Sequence, residues 1–143
     1  MVDLTKYMKK ELELVKPSEI LAFAQYSSKI PDITKFTVGE PDFNTPEHIK
    51  EAAIVGVKAN HSHYAPSNGT LGLRKAAANF LKERYGLKYN PENEVIVTNG
   101  ATEAIYTALT SVLNPGDKVV VPTPIFPLYI ADALLVGAEP ILV

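Results

Sequence analysis

The stretch that most constrains the fold is residues 95–105, which read VIVTNGATEAI. Three β-branched apolar residues run directly into a polar turn with one glycine, Gly100, and a helical apolar pattern follows over residues 101–113. A short apolar run that ends in a tight turn and a helix is typical of the strand-to-helix step of a parallel sheet. The sequence therefore predicts a strand at residues 94–98 followed directly by a helix.

The turn at Gly100 is also a candidate anion site. The first N–H groups of a helix have no partner within the helix, and the helix dipole adds positive potential there. Phosphate is a frequent ligand of such turns; Gly100 lets the backbone approach it without a Cβ, and Thr102 can add a hydroxyl donor. Many similar turns bind only water. A single glycine and no lysine argue against G-x-G-x-x-G dinucleotide sites and against NTP-binding loops.

Composition argues against several functional classes. The 143 residues suit one domain, and 14 Lys and Arg against 16 Asp and Glu leave a net charge of -2, so nothing favours nucleic acid or an acidic membrane. The absence of cysteine excludes disulfides and Cys-based metal sites. No apolar run approaches the ~20 residues that span a bilayer, and the N-terminus lacks the apolar core of a signal peptide. We therefore expect a cytoplasmic protein.

The first half of the chain predicts an arm and three helices. Residues 1–16 are charged and have only a loose apolar pattern, which indicates an arm or a frayed helix. A strand is predicted at residues 33–38, followed by a rigid loop rich in proline over residues 39–46. Capping and terminating residues mark three helices. The first begins at Ser18 and ends before Pro31, the second begins at Thr45 and ends near Lys58, and the third begins at Thr70 and ends at Gly86.

The second half predicts a β-α-β-α-β segment. Its strands are expected at residues 94–98, 118–121 and 139–143, and its helices at 101–113 and 128–136. Short crossovers force the strands to be parallel, with right-handed connections. The fold class is therefore α/β.

Ligands of parallel sheets bind beyond the carboxyl ends of the strands. The first predicted strand delivers Gly100 there, and the second delivers Phe126. A flat anionic cofactor fits an anion site beside an aromatic ring. A metal is disfavoured, because His61 and His63 could share one face of a strand but no third ligand lies nearby in the sequence.

Four motifs together resemble a known family. In order, they are VGEPDF at residues 38–43, YAP at 64–66 with Gly69 and LR at 73–74, TNGATEA at 98–104, and NPGD at 114–117 with PTP at 122–124. They are similar to the N-terminal part of class I aminotransferases, fold-type-I enzymes that use pyridoxal 5′-phosphate, over about residues 15–143. The aromatic and broad-specificity subgroup is the most similar. The resemblance implies an arm and small-domain segment at 1–45 and an incomplete large, cofactor-binding domain at 46–143.

The resemblance also implies roles for particular residues. The turn that would bind the cofactor phosphate is Gly100, Ala101 and Thr102, and Phe126 stands where the family stacks an aromatic ring on the pyridine. Gly39 matches the glycine whose N–H approaches the substrate carboxylate. Tyr64 matches a tyrosine that reaches the phosphate in the neighbouring subunit, which implies a homodimer. The alternative for Tyr64 is packing in a core or interface.

The catalytic groups of the family are not matched. The Schiff-base lysine, the acid beside the pyridine nitrogen and the carboxylate-binding arginine all follow this region in the family, so we expect them beyond Val143 and assign no catalytic residue. The resemblance implies transfer of an amino group between an L-amino acid and a 2-oxo acid, but the truncated chain alone is expected to be inactive.

Two other functions remain as alternatives at this point. A non-catalytic remnant could fold by self-association, which would cover apolar surface left by the early end of the sheet. A small nucleotide-binding protein of the Rossmann type is disfavoured, because the chain lacks the G-x-G-x-x-G pattern and an acidic residue placed for a ribose.

Overall fold

A computed structural model of the chain describes residues 4–37 and 39–143. These residues form two compact units, which we call the first unit (residues 4–37 with 99–143) and the second unit (residues 39–98). The boundary predicted at residue 45 separates two domains of the family, whereas these two units are defined by contacts within the chain. The predicted boundary therefore stays a prediction.

The described residues form five α-helices and two strands. In chain order these are α1 (Glu19–Ser27), α2 (Glu47–Lys58), α3 (Leu71–Tyr85), α4 (Gly100–Val112), β1 (Lys118–Val121), α5 (Leu128–Leu135) and β2 (Glu139–Leu142), preceded by short 3-10 turns at Thr5–Tyr7 and Lys10–Glu13. The predicted α/β class with a parallel sheet is confirmed. Within these described ranges, no helix is long and apolar enough to cross a membrane.

The first unit is built around the β1-α5-β2 segment. β1 and β2 are parallel neighbours, with Lys118 opposite Glu139. Because parallel strands cannot be joined by a tight turn, α5 carries the chain back across the sheet. The exposed Lys118 Nζ lies 3.6 Å from Glu139 Oε2, a surface pair that adds little stability. The buried apolar residues that hold this segment together are Val121, Ala133 and Ala138.

Helix ends follow the predicted capping chemistry in α1 and α3. The Oγ of Ser18 accepts a hydrogen bond from the Leu21 N–H at 3.3 Å, and the Oγ1 of Thr70 accepts one from the Leu73 N–H at 3.5 Å. Gly86 ends α3 in the left-handed conformation, with φ at 71°. These three predictions are confirmed, because each depends on bonds within one turn of helix.

The predicted cap of α2 is wrong. Pro46, and not Thr45, is the residue before the helix, with φ at -54° and ψ at 142°. Its carbonyl accepts hydrogen bonds from the N–H groups of Ile49 at 3.0 Å and Lys50 at 3.3 Å, and no side chain caps this end. The fixed φ of proline suits the extended backbone of a cap as well as the first helical turn.

Two predicted strands are not formed. Residues 33–37 have no strand pairing, and Val38, the last residue of that prediction, lies outside the described residues. Residues 94–98 also lie outside any strand of the described chain: the Val97 N–H donates to the Asn68 carbonyl at 3.1 Å, within a loop. A Cβ on Gly69 would lie 2.7 Å from the Val97 side chain, so residue 97 packs closely on that turn. In the described chain, the predicted β-α-β-α-β segment therefore lacks its first strand and consists of α4-β1-α5-β2.

Arg74 ties the second unit together. Its side chain is buried, although it carries a charge. The Nε donates to the Gly69 carbonyl at 3.0 Å, and the Nη1 donates to the carbonyls of Glu92, also at 3.0 Å, and of Pro91. One guanidinium thus joins α3 to the turn before it and to the loop at residues 91–92.

We expect the substitution Arg74→Lys to lower the free energy of unfolding by about 2–4 kcal/mol, because a single ammonium cannot reach all three carbonyls and leaves buried acceptors unpaired. Urea denaturation followed by circular dichroism measures this change. The matched control is Lys75→Ala at the exposed neighbouring position, for which we expect a change within about 0.5 kcal/mol. Equal stability of the wild type and Arg74→Lys would show that the three bonds do not hold this unit.

A buried carboxyl lies on α5. Asp132 is 4% exposed, and its Oδ2 has no hydrogen-bond partner among the residues that the structure describes. Burial raises the pKa of Asp132 above the usual value, because desolvation disfavours the charged form.

The raised pKa predicts that stability falls as pH rises. The folded chain binds the Asp132 proton more tightly than the unfolded chain does, so the stabilisation is complete below the unfolded-state pKa and is lost as pH rises through the folded-state pKa. Urea denaturation between about pH 3 and pH 8 measures the effect. Asp132→Asn should remove this fall in the free energy of unfolding with pH. Asp42→Asn, at an exposed position, should leave the fall unchanged. If Asp132→Asn keeps the pH dependence of the wild type, the buried Asp132 carboxyl is not its source.

Candidate functional site

The predicted anion turn lies at the start of α4. Gly100 is the first residue of this helix and has φ at 83°, a backbone conformation that residues with a Cβ rarely adopt. A Cβ placed there would meet no atom within 4 Å, so the space around the turn is open. Ala101 and Thr102 follow in the first helical turn and are exposed. This geometry fits a phosphate group approaching the backbone at the positive end of a helix.

A carboxylate already interacts with this turn. Asn99 precedes α4 without a side-chain cap, and its backbone N–H donates to the Oε2 of Glu103. Such a contact is favourable because the helix dipole attracts negative charge at this end. Glu103 was not among the site residues predicted from the sequence, although an acidic residue in the first turn of a helix is a known signal of this interaction.

Phe126 lies in the same unit, between β1 and α5. Its carbonyl accepts a hydrogen bond from the Tyr129 N–H at 3.3 Å, which connects the loop to the first turn of α5. The side chain is 54% exposed, so one part of the ring is accessible to a ligand. The structure thus places Phe126 just before α5 and the Gly100 turn at the start of α4, and these two helices pack against each other.

An apolar groove of about 440 Å³ opens beside Phe126. Its walls come from the segment before α1, from α1 itself and from α5; the main apolar residues are Leu14, Val15, Leu21, Phe126, Ile130 and Leu134, and Lys16 also lines it. We call it the Phe126 groove. The Lys9 Nζ donates to the Leu135 carbonyl and helps to hold the N-terminal segment against α5. No sequence signal marked this groove, because only tertiary packing brings residues so far apart in the chain together.

The other two predicted site residues belong to the second unit. Gly39 is exposed, and a Cβ there would meet nothing within 4 Å. Tyr64 is fully exposed, so its ring does not pack in the core of the described chain. The roles assigned to both residues stay predictions. Within the described ranges, no group of three or more His, Asp or Glu residues could hold a metal ion.

Comparison with protein families gives one match over most of the chain. The sequence model of the family described as "Aminotransferase class I and II" matches residues 31–143. This range contains the Gly100 turn, Phe126 and both predicted residues of the second unit.

Individual relatives are similar over nearly all of this chain but extend well beyond it. The aspartate aminotransferase of Pyrococcus horikoshii is 41% identical over 128 residues, which are 90% of this chain and 32% of the relative. The probable N-acetyl-LL-diaminopimelate aminotransferase of Bacillus subtilis is 38% identical, over 94% of this chain and 33% of the relative. The crystal structure of an aromatic aminotransferase from Pyrococcus horikoshii matches with a TM-score of 0.79 and 36% identity, over 92% of this chain and 32% of that one. The chain thus spans about a third of the length of these relatives.

The left-handed conformation at the start of α4 predicts that Gly100→Ala lowers the free energy of unfolding by about 1–2 kcal/mol, because the added Cβ is strained although the space is open. Gly56→Ala is the matched control: Gly56 lies inside α2 with open space around it, so we expect a gain of about 0.5–1 kcal/mol. Urea denaturation measures both changes. A gain in Gly100→Ala like that in Gly56→Ala would contradict the conformation of the turn.

Proposed function

Because this chain belongs to the class I and II aminotransferases, a family that depends on pyridoxal 5′-phosphate, we propose that it serves the transfer of an amino group between an L-amino acid and a 2-oxo acid. The observation that carries the proposal is the Gly100 turn, an exposed left-handed glycine at the N-terminus of the helix Gly100–Val112. The turn lies within the range that matches the family.

The start of α4 would bind the phosphate of the cofactor. The backbone at Gly100 leaves room for the phosphate oxygens, and the N–H groups of Ala101 and Thr102, together with the Thr102 hydroxyl, would donate to them. The exposed ring of Phe126 would lie against the pyridine and orient it. When bound, the cofactor supplies an electron sink for the bond changes at the amino-acid α carbon.

The second unit would contribute to substrate binding and to assembly. The open surroundings of Gly39 are compatible with an approach of its N–H to the substrate carboxylate. The fully exposed Tyr64 ring would reach the phosphate of a neighbouring subunit, which makes a homodimer part of this proposal. A cytoplasmic location and a role in a biosynthetic process are part of the same proposal.

The lysine that the family uses for catalysis is proposed to lie outside these 143 residues, since no lysine here stands in a matching sequence context. The chain alone would then bind the cofactor without completing the transfer. A second candidate, a non-catalytic remnant that folds by self-association, is supported by exposed apolar side chains on both strands, such as Val120 and Leu142. Sedimentation of a monomer of 15.6 kDa would exclude this candidate.

Phosphate binding is tested with pyridoxine 5′-phosphate, which has no aldehyde and cannot react with surface lysines. We expect it to bind more tightly than pyridoxine, because only the phosphate uses the α4 turn. In equilibrium dialysis, Thr102→Val should raise its dissociation constant roughly three- to tenfold through the loss of one hydrogen bond.

The matched control is Thr107→Val, at an exposed position further along α4, which should leave the dissociation constant unchanged. Equal binding of pyridoxine and its phosphate, or an equal response to both substitutions, would contradict the proposed phosphate site.

A further inference from the structure

We propose that the Phe126 groove takes the side chain of the substrate, and that this side chain is apolar and of aromatic size and not a second carboxylate. The inference rests on the proposed function, because it identifies the groove as part of the same site. The relatives do not decide the point, since their names include both an aspartate and an aromatic aminotransferase.

The position of the groove supports this assignment. Phe126, whose ring would face the cofactor, is itself part of the groove wall. A ligand in the groove is therefore adjacent to the proposed cofactor ring, where a substrate side chain has to lie. The volume of about 440 Å³ is within the range of small-molecule sites.

The exposure of the walls indicates what kind of group would be stabilised. Leu14 is 61% exposed, Leu21 is 60% exposed and Phe126 is 54% exposed, so the groove presents large apolar surface to solvent. Burial of apolar surface is favourable in proportion to its area, and an aromatic ring covers more of it than a small polar group does.

The polar groups of the groove offer little to a carboxylate. The Ser18 Oγ accepts the hydrogen bond that caps α1, and its single O–H is the one neutral side-chain donor among the residues that line the groove. Lys16 is exposed, and an ion pair in water changes affinity by up to about fivefold. A carboxylate that enters the apolar part of the groove also loses hydration without a compensating donor. The exposed charge of Lys16 therefore suits the α-carboxylate that all amino acids share. It does not select substrates with a second carboxylate in the side chain.

The test compares two ligands that differ only in the group in question, 3-phenylpropionate and succinate. Binding to the 143-residue chain is followed by two-dimensional amide NMR, which also reports where each ligand binds. We expect 3-phenylpropionate to bind about fivefold more tightly or better, with shifts in residues 14–21 and 126–135.

Two substitutions on α1 locate the binding site. Leu21→Ser removes a wall of the groove and should weaken 3-phenylpropionate roughly three- to tenfold. Ile20→Ser changes an isomeric, exposed side chain on the same helix that does not line the groove, and it should leave binding unchanged. Circular dichroism verifies that both variants keep the wild-type helix content.

The outcomes separate this inference from the proposed function. Succinate binding as tightly as 3-phenylpropionate, or an equal effect of the two substitutions, would overturn the inference about the side chain. Neither result affects the phosphate site, which is judged by pyridoxine 5′-phosphate binding alone. A loss of phosphate binding with selective 3-phenylpropionate binding would remove the proposed function and leave the groove as an apolar ligand site.

Discussion

The parallel pairing of β1 with β2 is the constraint on which the first unit depends. Hydrogen bonds between parallel strands require a crossover, and α5 provides it within the short segment between residues 121 and 139. The crossover places Phe126 at the exit of β1 and presents α5 to the N-terminal segment. The Phe126 groove is a consequence of that arrangement, because Phe126 and α5 line the side of the groove that faces the N-terminal segment and α1.

The second unit depends on a different interaction. In place of a sheet, it has one buried guanidinium that satisfies carbonyls from the turn before α3 and from the loop at residues 91–92. Arginine suits this position because its donors form a planar fork and its charge is delocalised. The close approach of Val97 to Gly69 belongs to the same region and, with the hydrogen bond from the Val97 N–H to the Asn68 carbonyl, fixes residue 97 against a turn.

The candidate site joins two kinds of surface that serve different chemistry. The start of α4 is polar and attracts negative charge, as the contact of Glu103 with the Asn99 N–H demonstrates. The Phe126 groove is apolar and open. A phosphate-bearing aromatic cofactor together with an amino acid needs both, and the two occur in one unit, on helices that pack against each other.

The sequence by itself determined the features that depend on neighbouring residues. The caps at Ser18 and Thr70 and the end of α3 at Gly86 follow from bonds or sterics within a few residues. The tertiary structure decided what needs a distant partner. Residues 94–98 have the composition of a strand but form none in the described chain, and the groove joins Leu14 and Leu21 to residues more than a hundred positions away. Such contacts leave no local pattern, because a strand or a groove is defined by the segment that packs against it.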